Sequence, residues 1–385
     1  MKVLGIIVEY NPFHNGHIYH IQKAKEMIEP NYTIAIMSSS FVQRGEPAII
    51  DKWSRASIAI EYGVDLVIEL PFVYACQSAD YFAKGAIDLL NAIGVTDICF
   101  GSEDGHIETF IEIAQAIVSH QQDYDFHIQK LMKEGYRYPD ACNQALFHIL
   151  GKQIKTPNDL LGLSYVKEII RHYSHITPHC FKRTNDYHDT NLQHIASASA
   201  IRKAICEHVD YHASLPYSHI YHHPYFLDNY FSYLKYLLLT STKDSLKQYH
   251  LVDEGLENRM LHAIYSSSSM NEFIDALLSK RYTKPRIQRM IIHTLMRNQK
   301  EDIQKAMNVD YLRIITMNHQ GRHYLKHVKT TCPYHIITHI HDYDHPALDI
   351  ELRATKLLSL LDSKPQQLIK KEYSFIPYLQ KKDEL

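Results

Sequence analysis

The residues with the clearest chemical potential are Phe13-His14-Asn15-Gly16-His17, where two imidazoles stand three positions apart around a glycine. Imidazoles supply N–H donors near neutral pH, and a glycine lets an anion come close to the backbone. The run follows a short apolar stretch, Val3 to Val8, and opens a helical pattern. In a doubly wound sheet, a loop at the carboxyl end of a strand faces the ligand crevice, and the next helix presents unpaired N–H groups to an anion. Phosphate chemistry is the natural use of such a turn.

Elements able to position it are legible in the first half. β-branched runs at Val3 to Val8, Tyr32 to Met37, Asp65 to Leu70 and Thr96 to Phe100 alternate with helical patterns, as in βαβ units on a parallel sheet. Ala79, Phe82, Ala83, Ala86, Leu89, Leu90 and Ile93 form one apolar stripe that stops at Gly94. A further unit is expected as a helix from about Leu160 to Tyr173, a strand from Ile176 to Arg183 and a helix from about Ala198 to His208. The stretch Pro216 to Pro224, rich in His, Tyr and Pro, marks a boundary. Helical periodicity with almost no glycine then runs to about Arg297. Strands at Leu312 to Thr316 and His335 to Ile340, with a helix near Ile350 to Leu361, follow. The expected fold class is α/β, with a doubly wound parallel sheet over 1–215, a helical region over 216–305 and a small C-terminal α/β region over 306–385.

Two signatures stand in order. His14-Asn15-Gly16-His17 resembles the H-x-G-H motif of nucleotidyltransferases and class I aminoacyl-tRNA synthetases, which attack the α-phosphate of ATP with loss of pyrophosphate. His194-Ile195-Ala196-Ser197-Ala198-Ser199-Ala200-Ile201-Arg202 resembles the I-S-x-S-x-I-R signature of the same enzymes, whose hydroxyls and arginine close over the β- and γ-phosphates. Taken alone, the second run also reads as a serine-capped helix with a surface arginine.

Longer runs make the resemblance specific. Phe41 to Ala48 (FVQRGEPA), Ile68 to Phe72 with Gln77 to Phe82, Phe100 to Glu103, Pro157 to Gly162, Arg281-Tyr282 to Arg289, and Leu348 to Thr355 are similar to the bacterial tRNA(Met) cytidine acetate ligase family over essentially the whole chain. The resemblance implies activation of acetate by ATP as acetyl-adenylate, then acetylation of the N4 amine of the wobble cytidine in elongator methionine tRNA. It implies that His14 and His17 are catalytic. It further implies that ATP is held by Ile7, Val8, Glu9, Tyr10, Asn11, Pro12, Phe13, His14, Asn15, Gly16, His17, Ile18, Tyr19 and His20, and by Gly101, Asn158, Arg183, Ser197, Ser199 and Arg202. Mg2+ is expected with the triphosphate, bound through phosphate oxygens. In one departure, Ser39-Ser40 stand where the family pattern has Gly-Asn.

Composition bounds the partners. The 385 residues carry 41 Lys plus Arg against 43 Asp plus Glu, a formal net charge of -2, so attraction for a nucleic acid must come from a local patch. Lys280, Arg281, Lys284, Arg286, Arg289 and Arg297 stand without a carboxylate among them. On a helix, Arg286, Arg289, His293 and Arg297 would form one stripe beside Ile287, Met290, Ile291 and Leu295, with Tyr282 available for stacking. Arg281, Arg286, Arg289 and Arg297 are thus the candidate tRNA contacts. Six cysteines without a C-x-x-C pair suggest a reducing compartment, and the absence of a long apolar run suggests a cytoplasmic protein. His341-Asp342-Tyr343-Asp344-His345 and His222-His223 are expected to be surface turns, with no resident metal. Two other functions fit the motifs: a nucleotidyltransferase adenylylating a small phosphorylated acceptor, and a non-catalytic nucleotide- or RNA-binding module. The first needs about one domain, which leaves the chain after 215 without a purpose; the second has no need of paired imidazoles.

Overall fold

The computed structural model describes residues 1–154, 156–183, 196–217 and 224–378. Seven strands form one sheet: β1 (Val3–Val8), β2 (Tyr32–Ser38), β3 (Leu66–Leu70), β4 (Asp97–Ser102), β5 (Thr177–Lys182), β6 (Tyr311–Met317) and β7 (His335–Ile337), in the order β5-β4-β1-β2-β3-β6-β7. The first five run parallel, β6 lies antiparallel to β3, and β7 runs parallel to β6. The strands read as continuous apolar runs because both faces are covered. Ile34 and Ile36 of β2 pack into one core, while Ala35 and Met37 pack into the other, as the two-residue side-chain period requires.

The expected stripe is the Ala79–Ile93 helix, with Phe82, Ala83, Ala86, Leu89, Leu90 and Ile93 buried. It ends at Gly94 in the left-handed region, φ 81°. Among the described residues, 306–378 do not build a sheet of their own. Their two strands extend the first sheet beyond β3, so the region's core and that of the parallel unit are one. A pairing partner is chosen by tertiary packing, which strand periodicity alone does not encode. Between these parts lies a helical region that includes Phe231–Thr240, Leu256–Ser266, Met270–Leu277, Lys284–Leu295 and Lys300–Ala306.

The extension is held by buried charge. Glu69 of β3 accepts from Lys52 Nζ at 2.5 Å and faces Arg313 of β6 at 3.2 Å. Lys52 also meets Glu351 at 3.2 Å and Glu372 at 2.9 Å, and Arg313 meets Glu372 at 2.5 Å. All five residues are at most 1% exposed. A charge out of water is tolerated only when paired in this way.

Candidate active site

β1 lies between β4 and β2: the chain leaves β1 towards β2 and β3, then returns past β1 to β4, and this reversal opens a crevice at the carboxyl ends of β1 and β4. The loop from Glu9 to His14 enters there. Tyr10 has φ 49° and packs edge-on against Phe13 at 4.7 Å and His17 at 4.9 Å. Val8, Tyr10 and Phe13 are buried in the core, so their side chains support the loop. Asn11 Oδ1 accepts from Ile49 N at 2.7 Å.

His14 is the N-cap of the Asn15–Ile28 helix: its Nδ1 accepts from Gly16 N, and His17 Nδ1 accepts from His14 N, both at 3.1 Å. The two rings stack at 3.9 Å. Since each Nδ1 is an acceptor, the neutral rings carry their protons on Nε2. Burial, with Arg183 and Arg202 nearby, lowers His14 to about 3. Burial, then His14, His20 and Arg183, pushes His17 well below the usual histidine value. His20 Nε2 lies 3.0 Å from Cys99 O, and burial lowers this ring to about 4 despite that bond. The site therefore offers neutral N–H donors at a helix N-terminus whose first turn carries no acidic residue.

Several residues expected from the sequence converge here. Gly101 stands one residue before the end of β4, beside Arg183, and a Cβ built on it would lie 3.1 Å from Arg183 Cγ, so the glycine leaves room for that arm. Arg183 is exposed, and its N–H donates to Ser102 O at 2.8 Å. Arg202 donates to Asn11 O at 2.8 Å and pairs with Glu46 at 3.3 Å, with its field reaching both His14 and Glu9. Ser197 caps the Ala198–Cys206 helix, accepting from Ala200 N at 3.1 Å, and its Oγ lies 3.1 Å from Ser199 Oγ. Asn158 donates to Glu103 Oε1 at 2.6 Å, which ties the Pro157–Arg171 helix to the end of β4. His194, Ile195 and the pair His222-His223 lie outside the described residues.

Other expectations are corrected. The arginines near 290 do not form one solvated stripe. The Lys284–Leu295 helix ends before Arg297, which is exposed with φ 53°. His293 is fully buried, its ring 5.2 Å from Phe72. Arg289 turns inward and donates to Gln43 O at 3.0 Å. Tyr282 is buried, donates to Glu254 at 2.8 Å and lies under Arg286 at 5.3 Å, so its ring is not free for a base. Arg286 and Arg281 pair with Asp253 and Glu254 at 3.5 and 2.6 Å. Helical spacing groups residues on a face but leaves open which neighbours cover it.

Ser39 and Ser40 are buried. Ser39 O accepts from Arg55, and Ser40 O accepts from Ala48 N at 3.0 Å, so the pair holds the loop from inside. Sequence reasoning misses Arg55. Its guanidinium also donates to Glu9 O at 2.6 Å, Ser38 O at 3.0 Å and Ile50 O at 3.2 Å. The run around it mixes Lys52, Ser54, Ser57 and Glu61 with apolar residues, so no local signal marks Arg55 as buried. His339, His341 and Asp342 bring ligand atoms within 4.8 Å of one another, but Asp342 already accepts from Thr338 N and His339 N at 3.0 and 2.7 Å. His345 instead caps the Pro346–Ser359 helix.

A family model described as HIGH Nucleotidyl Transferase matches residues 1–372. The tRNA(Met) cytidine acetate ligase of Bacillus subtilis is 40% identical over 415 residues, spanning 100% of this chain and 99% of that one. This chain belongs to the tRNA(Met) cytidine acetate ligase family. The family's ligase from Clostridium acetobutylicum is 37% identical, over 94% of this chain and 96% of its own. The apo crystal structure of Thermotoga maritima TmcAL superposes with a TM-score of 0.90 at 33% identity, covering 99% of this chain and 100% of that one. A second structure of that protein, bound with alpha-thio ATP, gives 0.89 at 32% identity with the same coverage. Membership makes the chain an ATP-using ligase of the nucleotidyltransferase fold. Among the described residues, no helix is long and apolar enough to cross a membrane.

Proposed function

We propose that the protein condenses acetate with ATP to form acetyl-adenylate and pyrophosphate, then transfers the acetyl group to the N4 amine of the wobble cytidine of elongator methionine tRNA in the cytoplasm. The observation that carries this reading is the stacked pair His14 and His17, with both Nδ1 atoms engaged and Arg183 and Arg202 beside them. An acetate oxygen attacks the α-phosphorus, and pyrophosphate leaves. Nε2–H donors and guanidinium groups fixed before the reaction stabilise charge on the transferring phosphoryl group without reorganising. The dipole of the Asn15–Ile28 helix, whose first turn carries no acidic residue, adds to this field, and Gly16 admits a phosphate close to the backbone.

Mg2+ accompanies the triphosphate in this reading. The loop offers no cluster of three His, Cys, Asp or Glu ligands among the described residues, so phosphate oxygens are the natural ligands. The helical region over 216–305 makes the tRNA contact through its exposed cations, Arg281 and Arg297 first, with Arg286 at the edge. The decisive experiment is ATP–pyrophosphate exchange with and without acetate, followed by acetylcytidine yield on methionine tRNA. Acetate-dependent exchange is expected. Exchange that is indifferent to acetate but stimulated by a phosphorylated small molecule would favour the small-acceptor adenylylation reaction.

A further inference from the structure

We propose that Glu9 is the general base of the acyl-transfer step, accepting a proton from the cytidine N4 amine as that nitrogen attacks the acetyl carbonyl. The proposal rests on the acetyl-adenylate reading above. The N4 lone pair forms the C–N bond, the bond from the carbonyl carbon to the phosphate oxygen breaks, and AMP leaves with that electron pair. The amine proton passes to Glu9 and then to water.

Glu9 is the first residue beyond β1, at the crevice, and is half-buried. Its peptide oxygen accepts from Arg55 at 2.6 Å, and its Oε1 accepts from Gln43 N at 2.7 Å. Gln43 is itself clamped: its carbonyl accepts from Arg289, and its Nε2 donates to Gln77 O at 3.1 Å. The Gln43 N–H engages Oε1, which leaves Oε2 as the proton acceptor.

Arg202 relates this carboxylate to the imidazoles, since its charge acts on both Glu9 and His14. A carboxylate is a poor ligand for a polyphosphate. Its place one residue beyond the carboxyl end of β1, at the crevice, therefore suits a proton acceptor rather than a phosphate ligand. The rival groups are occupied or of the wrong type. Glu46 pairs with Arg202 and accepts from Gln288, and Glu103 accepts from Thr156 and Asn158. His14 and His17 present N–H donors. Burial raises the Glu9 carboxyl above its ordinary range, against the opposing pull of Gln43 N–H, Arg44, Arg202 and Arg55; Cys76 and Tyr165 also face it.

The test separates the half-reactions in Glu9→Gln and Glu9→Asp. The resemblance also counts Glu9 among the residues that hold ATP, so exchange in Glu9→Gln is the reference against which transfer is read, and the loss in transfer should exceed any loss in exchange by at least about ten-fold. Single-turnover transfer from preformed acetyl-adenylate to methionine tRNA should fall roughly 100- to 10,000-fold. Parent transfer should rise with pH through the Glu9 titration and level off, Glu9→Gln should lose that limb, and Glu9→Asp should recover part of the rate. Transfer by Glu9→Gln within about three-fold of the parent, or parallel loss of exchange and transfer in a folded variant, would overturn the proposal alone. No acetate-dependent exchange in the parent would overturn the ligase reading and the proposal with it. If Glu9→Gln does not fold, a parent transfer rate that does not change between about pH 5 and 8 overturns the proposal.

Discussion

The imidazole of His17 accepts the backbone N–H of His14 at 3.1 Å, so one catalytic candidate fixes the other through the chain itself. His14 therefore has two functions, as helix cap and as donor, and a substitution can part them. His14→Asn keeps a capping oxygen, so its melting temperature should stay close to the parent's, whereas His14→Ala loses roughly 1 kcal/mol of cap energy. Both variants should lose about 100-fold or more in acetate-dependent pyrophosphate exchange. Near-normal exchange by His14→Asn would remove His14 from the chemistry.

Arg183 lies exposed beside Gly101, with its charge felt at His14, His17 and His20. Losing a charge-assisted hydrogen bond to phosphate costs roughly 1.5–3 kcal/mol. Arg183→Ala should thus weaken ATP by about 10- to 100-fold, read as KM for ATP in the exchange assay. Unchanged ATP dependence would take Arg183 out of the nucleotide site.

The arginines that helical spacing groups together should behave differently from one another. Arg297→Glu and Arg281→Glu should lower tRNA affinity and reduce the slope of log affinity against log salt by about 1 for each phosphate no longer neutralised. Arg289→Ala should instead loosen Gln43, and with it Glu9, lowering the acetylation rate with little change in salt slope. Filter binding over a salt series, beside acetylcytidine yield, distinguishes the two.

Lys52, Arg313, Glu69, Glu351 and Glu372 place three carboxylates against two cations. Burial, followed by the Glu69 charge, pushes Glu351 up to about 7. Folding therefore favours its protonated form, and the stability it contributes is present below about pH 4.5 and is lost as pH rises through about 7. The urea midpoint should carry a downward component across that window, at most about 1.4 kcal/mol per pH unit. Glu351→Gln should lack this component. Lys52→Met should lower stability by roughly 3–5 kcal/mol, because it strands buried carboxylates.

Much of the site was legible because its signals are local. A strand, a turn with H-x-G-H and a helix start are neighbours in sequence, and so are the Ala79 to Ile93 stripe and Gly94. What escaped was non-local. Nothing near Leu312 says that its strand will pair antiparallel with β3, and nothing near Lys52 names Glu351 as its partner. A charged residue inside an apolar run, such as Glu69 between Ile68 and Leu70, was the available sign. It announces a buried partner without naming it. The arginine stripe failed for a related reason: His293 and Arg289 share a helical face, but Phe72 and Gln43, far away in sequence, draw both of them inward.

The sheet's extension beyond β3 also has a meaning for biosynthesis. Lys52 and Glu351 are separated by 299 residues, so at about 5–20 residues per second a ribosome takes roughly 15–60 s to deliver the second after the first. During that interval the emerging N-terminal unit holds Lys52 and Glu69 without their other counterions, and neither can be sealed from water. The catalytic loop, hung from β1 and Arg55, is separated from this unfinished edge by β2. The nascent enzyme thus acquires its histidine motif early and the dry interior behind it only when the last third of the chain has left the exit tunnel.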